Sequence, residues 1–424
     1  MFETLPRRPL TSTSSVAFCG ALLGLIATSA WASTEWSWSE REVRVLRSFS
    51  LSALTAPPAS PGNAHADDPQ AATLGKSLFF DPRFSANGEL SCASCHDPGR
   101  DFTDGLPRAI GLGSGNRNTP TLTGTAWNTW FYWDGRRDSL WAQALIPFEA
   151  ENEMGSDRLT IVRRVAQDAD LRAHYEAVFG ELPAFDDIPF DAASPLANAA
   201  LRDTWYRLNR SQQQRINAVF ANVGKAIGAW ERTLHFKPTL FDAYVDSLDS
   251  DGETPESPPL PDAVKAGARL YMDAERTQCL QCHNGPTFSN GGFHNIGTGN
   301  FDGDQLDFGR VFGLQAVLLD EFNCVGPYSD ADPADCTALR FLNTGHHIPL
   351  EGAFKTPSLR GVAHTAPYFH DGSGDSLEHV MAHYNEPPDK AAVGEHELQT
   401  LSLSEIELEQ LVAFMQALST PAPE

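Results

Sequence analysis

Hydrophobic residues recur at intervals of three and four in several parts of the chain, which is the spacing of an amphipathic helix. The clearest such stripe runs from Ile216 to Trp230 and predicts a helix packed in a core. Shorter stripes follow the patterns Ser37-x-x-Glu40 and Ser402-x-x-Glu405, which predict capped helix starts. No sustained alternation of period two occurs. The pattern therefore predicts a mainly α fold with long loops.

A short motif occurs twice. Gly75-Lys76-Ser77-Leu78-Phe79-Phe80-Asp81 resembles Gly267-Ala268-Arg269-Leu270-Tyr271-Met272-Asp273 in the order of glycine, leucine, large apolar residues and aspartate. Duplication of one structural unit explains the match, and chance similarity is the alternative. Two copies are too few for a solenoid, so we expect two similar domains.

The first residues have the pattern of an export signal. Arg7 and Arg8 precede an apolar stretch at 16–27, and Ala30-Trp31-Ala32 is typical of a cleavage site. The stretch is short for a membrane span, although a retained anchor is the alternative. We expect a signal peptide at 1–32 with cleavage near Ala32, a periplasmic protein, and no membrane association after cleavage.

Length, local composition and net charge give the expected domain bounds and the classes of partner. The 424 residues suffice for two domains. A helix and Pro-rich linker are expected at 33–66, an N-terminal domain at 67–250 and a C-terminal domain at 251–424, because 249–262 is acidic and Pro-rich. The net charge of −24 argues against nucleic acid and anionic lipid as partners, and it would favour a basic or neutral protein.

Two of the three cysteine pairs lie in identical motifs. Cys92-Ala93-Ser94-Cys95-His96 and Cys279-Leu280-Gln281-Cys282-His283 have the spacing of c-type haem attachment, in which two thiols bind the porphyrin and the histidine ligates iron. A zinc site would need two further ligands each. Cys324 and Cys336 could form a disulfide in an oxidising compartment, or stay free.

The sixth ligand of each iron decides between electron transfer and peroxide chemistry. Between His96 and Glu153 the sequence contains no histidine, methionine or lysine. The first haem therefore has no evident local distal ligand and is expected to be the peroxide-reactive one. Met154 or a distant histidine is the alternative ligand.

These motifs, with several others, resemble the bacterial di-haem cytochrome c peroxidase and MauG superfamily over roughly residues 66–420. The matching motifs are Leu78-Phe79-Phe80-Asp81-Pro82-Arg83, Arg117-Asn118-Thr119-Pro120-Thr121, Trp133-Asp134-Gly135-Arg136, Glu153-Met154, Lys355-Thr356-Pro357-Ser358-Leu359-Arg360 and Thr365-Ala366-Pro367-Tyr368-Phe369-His370-Asp371-Gly372. The resemblance implies two cytochrome-c-like haem domains and two covalently bound haems.

Two departures point to the MauG-like branch. Gly111-Leu112-Gly113 stands where the better-known peroxidases have a distal histidine, and Tyr384 stands where they have a methionine ligand to the second haem. The residues around the first motif look most like MbnH-type enzymes. This implies that hydrogen peroxide is used to oxidise a partner protein's side chain, a tryptophan, through a high-valent di-haem state.

The resemblance also assigns roles at the first haem. It implies Glu153 as the acid–base group, Gln143 as its polar neighbour and Trp133 as a relay between the haems. Glu153 could instead be a surface carboxylate in the run Glu149, Glu151, Glu153, and Trp133 a plain core residue.

The helix around Tyr384 and one calcium site complete the expectations. The pattern Asp375-x-x-Glu378 predicts a helix start, with Tyr384 and its rival Met381 on one face. Tyr384 could also simply pack in the core. The resemblance implies one Ca²⁺ held by Asn118, Thr365 and Pro367, although Asn-Thr-Pro alone would predict a turn.

Two other functions remain open at this point. A cytochrome c peroxidase would reduce hydrogen peroxide with electrons from a small redox protein, and it favours methionine ligation at the second haem. A di-haem electron carrier would need two strong ligands on both irons.

Overall fold

The computed structural model describes residues 36–420, except 251, 255, 299, 302–304 and 343–349. The predicted signal peptide lies outside the described residues. The described chain is mostly helical, which confirms the mainly α prediction. None of its helices is both long and apolar enough to cross a membrane.

The fifteen helices of the described part vary from single turns to six turns. They are α1 (Glu40–Phe49), α2 (Pro69–Phe80), α3 (Leu140–Gln143), α4 (Ile146–Glu149), α5 (Arg158–Gln167), α6 (Ala169–Phe179), α7 (Ala199–Arg207), α8 (Arg210–Glu231), α9 (Leu240–Ser247), α10 (Asp262–Met272), α11 (Cys279–Cys282), α12 (Arg310–Leu319), α13 (Thr337–Arg340), α14 (Leu377–Asn385) and α15 (Glu405–Ala417).

Strands are short throughout the described residues. β1 (Phe293–His294) pairs antiparallel with β4 (Phe354–Lys355), with Phe293 opposite Lys355. β2 (Asn300–Phe301) pairs antiparallel with β3 (Gln305–Leu306). The sheets therefore only fix loops in place, and the core is built from helices.

Three predicted helix starts are wrong by one or two residues. The capping box of α1 is Ser39 with Glu42, and that of α15 is Ser404 with Glu407. Ser376 caps α14 by accepting a hydrogen bond from the amide of His379. In the extended segment before α1, Trp38 is buried and its indole nitrogen donates to the hydroxyl of Tyr244.

The duplicated motif forms equivalent helices, α2 and α10, that each pack against a long helix. A Cβ on Gly75 would lie 1.9 Å from the carbonyl oxygen of Ala226 in α8. A Cβ on Gly267 would lie 1.9 Å from the carbonyl oxygen of Gln410 in α15. Glycine is needed in both copies because any side chain would push the two helices apart.

The duplication extends to a second stretch that the sequence did not reveal. Residues 118–147 and 355–384 share backbone features at a constant numbering difference of 237. Gly124 and Gly361 have φ of 74° and 75° and each precedes a 3-10 turn. Gly135 and Gly372 have φ of 67° and 68°, and Ser139 and Ser376 cap the following helices. The two halves therefore present equivalent loops.

Segments of each half of the described chain pack against the other half. The side chain of Arg360 binds the carbonyl of Phe49 and the carboxylate of Asp242, so α1 and α9 pack on the second half. Glu321 pairs with the buried Arg158 of the first half. The domain boundary near residue 250 stays a prediction.

A disulfide joins Cys324 and Cys336. It closes the loop that follows α12, and the same loop packs on the first half. Phe322 lies in the hydrophobic core with α8, and Asp330 pairs with Lys225 at 2.8 Å. The disulfide therefore stabilises a segment that ties the second half to the first.

Candidate haem sites

Each Cys-x-x-Cys-His motif forms a tight turn at the end of its helical unit. Residues 92–94 form a 3-10 turn and 279–282 a helical turn, and all four cysteines are free of disulfides. After each motif a phenylalanine has positive φ, Phe102 at 59° and Phe288 at 50°. This left-handed residue turns its own carbonyl back toward the histidine.

The two histidines are held in the same orientation. His96 Nδ1 lies 3.0 Å from the carbonyl oxygen of Phe102, and His283 Nδ1 lies 2.9 Å from that of Phe288. Burial lowers the pKa of both imidazoles, that of His283 to about 4. Both rings are therefore neutral at pH 7, with the proton on Nδ1 and a lone pair on Nε2. That tautomer is the one that ligates iron.

Both histidines border apolar cavities that fit a haem group. The smaller cavity, of about 550 Å³, is lined by Cys92, Cys95 and His96. The larger, of about 2450 Å³ including its open mouth, is lined by His96 and by Cys279, Cys282 and His283 of the second motif. Paired thiols, a neutral imidazole and apolar walls are the donor set that a c-type haem requires.

Glu153 and Gln143 line the smaller cavity with His96. Burial raises the pKa of the Glu153 carboxyl, and the nearby charge of Arg136 partly opposes this. The other two members of its acidic run lie elsewhere, since Glu149 is buried against Arg158 and Glu151 is exposed. Glu153 is thus placed where a carboxyl could exchange a proton with a ligand of the first haem.

The loop at Gly111-Leu112-Gly113, where the resemblance expects no distal histidine, packs closely on the segment that carries Glu153. A Cβ on Gly111 would lie 2.7 Å from the Cα of Glu153, and the amide of Leu112 donates to the carbonyl of Glu153 at 3.0 Å. Leu112 itself is exposed. Among the described residues, His96 is the one histidine that lines this cavity, and Met154 lines it as part of the core.

The second haem site has an oxygen ligand available on α14. Leu377, Val380, Met381 and Tyr384 all line the larger cavity. The two histidines of α14 point elsewhere: His379 contacts Asp375, and His383 contacts the carbonyl of Ile296. Burial raises the pKa of the Tyr384 hydroxyl, so a free phenol would stay neutral there. Tyr384 and Met381 are therefore the candidates that this helix offers.

The equivalence of the two halves shows why the sites differ. At the numbering difference of 237, Tyr384 corresponds to Pro147, which lines the smaller cavity. A proline side chain has no donor atom for iron. At the position equivalent to Tyr384, the first site therefore offers no side-chain atom that could bind iron.

Trp133 is held by hydrogen bonds at both its indole and its backbone. Its indole Nε1 donates to the carbonyl of Asn118 at 2.9 Å, and its own carbonyl accepts from the amide of Lys355 at 2.7 Å. Asn118 and Lys355 are equivalent positions in the two halves. Trp133 also lines the cavity that both histidines border, and its role as a bridge between the haems stays a prediction.

The three expected calcium ligands, Asn118, Thr365 and Pro367, all line this same cavity. The amide nitrogen of Asn118 donates to the carbonyl of Leu106 at 2.9 Å, which leaves its side-chain oxygen for another partner. Within the described chain there is no cluster of three or more His, Cys, Asp and Glu residues that could hold a metal ion. A calcium ion here would depend on carbonyl oxygens and water.

Sequence reasoning missed two ionisable residues at these sites, the buried Glu231 and the half-buried Lys355. Glu231, at the end of α8, lines the smaller cavity beside Cys92, and burial raises its pKa to about 8. Lys355 lines the larger cavity, and burial lowers its pKa to about 8. In the sequence, Glu231 ends a helical stripe and Lys355 begins a loop motif, and neither pattern marks a site residue. Only the three-dimensional contacts show that both lie at the cavities.

The mostly helical fold and the paired sites define a di-haem c-type protein with unequal haem environments. Residues 69–250 match the family model described as di-haem cytochrome c peroxidase. The methylamine utilization protein MauG of Methylorubrum extorquens is 32% identical over 356 residues, which cover 82% of this chain and 78% of that protein. The chain therefore belongs to the di-haem cytochrome c peroxidase and MauG family, whose members are peroxide-using oxidoreductases with two c-type haems.

Further relatives extend over nearly the same length. Cytochrome-c peroxidase IdrP2 of Denitromonas iodatirespirans is 29% identical, covering 86% of this chain and 84% of that protein. The crystal structure of a MauG-like protein associated with microbial copper homeostasis superposes with a TM-score of 0.60 at 25% identity, covering 87% and 95% of the two chains. Both MauG and cytochrome peroxidases are thus among its relatives.

Proposed function

We propose that this protein uses hydrogen peroxide at the His96 haem to oxidise a tryptophan side chain of a periplasmic partner protein. The observation that carries the proposal is the contrast between Pro147 and Tyr384 at equivalent positions. One haem site lacks a ligating side chain where the other offers a phenol. This difference between the two sites fits a protein that accepts peroxide at one haem and retains oxidising equivalents near the other.

The bound haem supplies an iron that accepts peroxide and a ring that exchanges electrons. The surrounding residues handle the protons. Glu153 would take a proton from the oxygen nearer the iron and return it to the farther oxygen, which leaves as water. Its raised pKa, caused by burial, brings the carboxyl closer to the working pH. Gln143, on the same cavity wall, can hold the peroxide by a hydrogen bond.

The overall reaction balances without another oxidant. Peroxide takes up two electrons and two protons to give two water molecules, and the partner's tryptophan, which loses two electrons and two protons on oxidation, supplies both. Trp133 would relay these electrons between the two sites because an indole is polarizable and oxidisable. Tyr384 would favour the oxidised iron, since an anionic oxygen donor stabilises higher charge at the metal whereas a methionine thioether favours the reduced state.

A calcium ion held by Asn118, Thr365 and Pro367 would fix the loops on either side of Trp133. We also infer a periplasmic location from the N-terminal pattern and from c-type haem attachment. The excess of 24 negative charges would steer a basic or neutral partner toward the surface.

Cytochrome c peroxidase activity is the second candidate. It is favoured by Met381, which shares the larger cavity with Tyr384, and by the peroxidase names of several relatives. Its electron donor would be a small redox protein.

Competition between two reductants tests the proposal. The purified di-haem protein receives one equivalent of peroxide, followed by either reduced basic cytochrome c or N-acetyl-tryptophanamide. We expect the oxidised protein to persist without a donor and to oxidise the indole, which mass spectrometry of the product detects. Rapid steady turnover of the cytochrome without indole oxidation would instead establish the second candidate. Tyr384→Met serves as the matched variant, because it should shift the protein toward cytochrome turnover.

A further inference from the structure

Lys355 is a half-buried cation that has no anionic partner among the described residues. Its side chain lines the larger cavity, and its ammonium group makes no hydrogen bond or ion pair with any described residue. Buried cations elsewhere in the described chain have partners. Arg158 pairs with Glu149, Arg360 with Asp242, and Lys225 with Asp330, and Arg310 donates to the backbone carbonyls of Asp134 and Gly135. Lys355 is therefore an exception that requires an explanation.

The local strand fixes the direction of this side chain. Successive residues of a β-strand point to opposite sides. Phe354 points toward His370, with the two rings stacked at a centroid distance of 3.5 Å. Lys355 lies on the opposite side of the strand from Phe354, and both residues line the larger cavity, while the amide of Lys355 donates to the carbonyl of Trp133 at 2.7 Å. The ammonium group thus projects from the same backbone segment that holds Trp133.

Comparison of the two halves shows that the charge is not needed for the fold. Asn118 occupies the equivalent position in the first half, and its side-chain amide is satisfied by the carbonyl of Leu106. The following residues, Thr-Pro-Thr and Thr-Pro-Ser, are nearly the same in both halves. The loop therefore forms with a neutral amide at this position. The positive charge of Lys355 must have a role that is specific to the second half.

An ammonium group in an apolar cavity is costly unless an anion lies beside it. Burial lowers the pKa of Lys355, and no carboxylate of the described residues is near enough to oppose this effect. The family's c-type haem would bring carboxylates into this cavity, because each haem carries two propionate side chains. We propose that Lys355 binds a propionate of the second haem, the one attached at Cys279 and Cys282.

The position of Lys355 in the sequence selects the second haem. Lys355 lies two residues before Pro357. The backbone of Pro357 lies within hydrogen-bonding reach of the His283 imidazole and raises its pKa. Pro120 has the same relation to His96 in the first half. A positive charge held there stabilises the ferrous state of the second haem, because reduction adds one negative charge. Lys355 therefore raises the reduction potential of that haem and fixes its propionate beside the Trp133 segment.

This proposal depends on the haem content of the family and not on the proposed substrate, so each can fail alone. The test compares Lys355→Met with the exposed control Lys76→Met, which removes the same charge from the surface of α2. Resonance Raman spectra report hydrogen bonding of the haem propionates, and a spectroelectrochemical titration gives the two reduction potentials. Both are measured on the purified di-haem protein without peroxide.

We expect Lys355→Met to shift a propionate bending band and to lower the potential of the low-spin second haem, whereas Lys76→Met changes neither. Lys355→Arg should retain the wild-type potential because it keeps the charge. If Lys355→Met does not mature, Lys355→Gln provides the same neutral substitution with a polar side chain. Potentials and propionate bands identical to wild type in the neutral variant would overturn the proposal, as would a shift confined to the first haem.

Discussion

Replacing Glu231 by methionine should stabilise the protein at neutral pH. The side chain is only 3% exposed, and one carboxylate oxygen has no hydrogen-bond partner. Superposition of the helix pairs at Gly75 and Gly267 makes Ala226 equivalent to Gln410, and hence Glu231 equivalent to Met415. Met415 is itself buried at the second cavity. The substitution therefore places a residue that the second half already accommodates.

The magnitude follows from the pKa of about 8 that burial imposes on Glu231, against an ordinary value of 4.5. Below pH 4.5 the group is protonated in both folded and unfolded chains and costs nothing. Between pH 4.5 and 8 only the unfolded chain releases the proton, so stability falls by about 1.4 kcal/mol per pH unit. At pH 7 the native residue thus costs about 3 kcal/mol, and at pH 5 less than about 1 kcal/mol.

Urea denaturation of the purified di-haem protein at pH 5 and pH 7 measures this difference. Glu231→Met should raise the free energy of unfolding markedly at pH 7 and little at pH 5. The exposed Glu181 supplies the control, since Glu181→Met should change neither value appreciably. An equal gain at both pH values would refute the reasoning, because it would show that packing, and not ionisation, causes the effect.

Three predictions concern the proposed reaction. Glu153→Gln should slow the reaction with peroxide by about 10²- to 10⁴-fold, because the amide cannot transfer the proton; stopped-flow absorbance measures the rate, and an unchanged rate would remove Glu153 from the mechanism. Trp133→Phe should slow oxidation of the second haem after peroxide is added, as followed by rapid-freeze EPR, and equal rates would exclude the relay role. Removal of calcium by a chelator should lower activity, which re-added Ca²⁺ restores; elemental analysis without bound calcium, together with unaffected activity, would contradict the site.

Covalent attachment of the two haems could be predicted from the sequence because it depends on residues that are adjacent in the chain. The haem motifs each occupy five consecutive positions, and the stripe that became α8 is long and regular. Helix starts were less predictable, since Ser37, Ser39, Ser402 and Ser404 each offer a capping pattern. The choice between them is made by tertiary packing, such as the burial of Trp38.

The extent of the duplication could not be predicted, because shared backbone conformation does not require shared side chains. Thr125-Ala126-Trp127 and Val362-Ala363-His364 form the same turn with different residues. The charges of Glu231 and Lys355 also escaped prediction. Their unusual environments arise only when distant segments enclose them, which no local pattern in the sequence reports.

The ligand of the second haem tests the central claim most directly. Tyr384 and Met381 lie on the same cavity-facing side of α14, and they imply opposite functions. The decisive measurement is the EPR spectrum of the resting ferric protein, compared with those of Tyr384→Phe and Met381→Leu. We predict one high-spin and one low-spin haem in the native protein, with the low-spin signal altered in Tyr384→Phe and retained in Met381→Leu. A spectrum unchanged in Tyr384→Phe that collapses in Met381→Leu would contradict the account and favour an ordinary cytochrome c peroxidase.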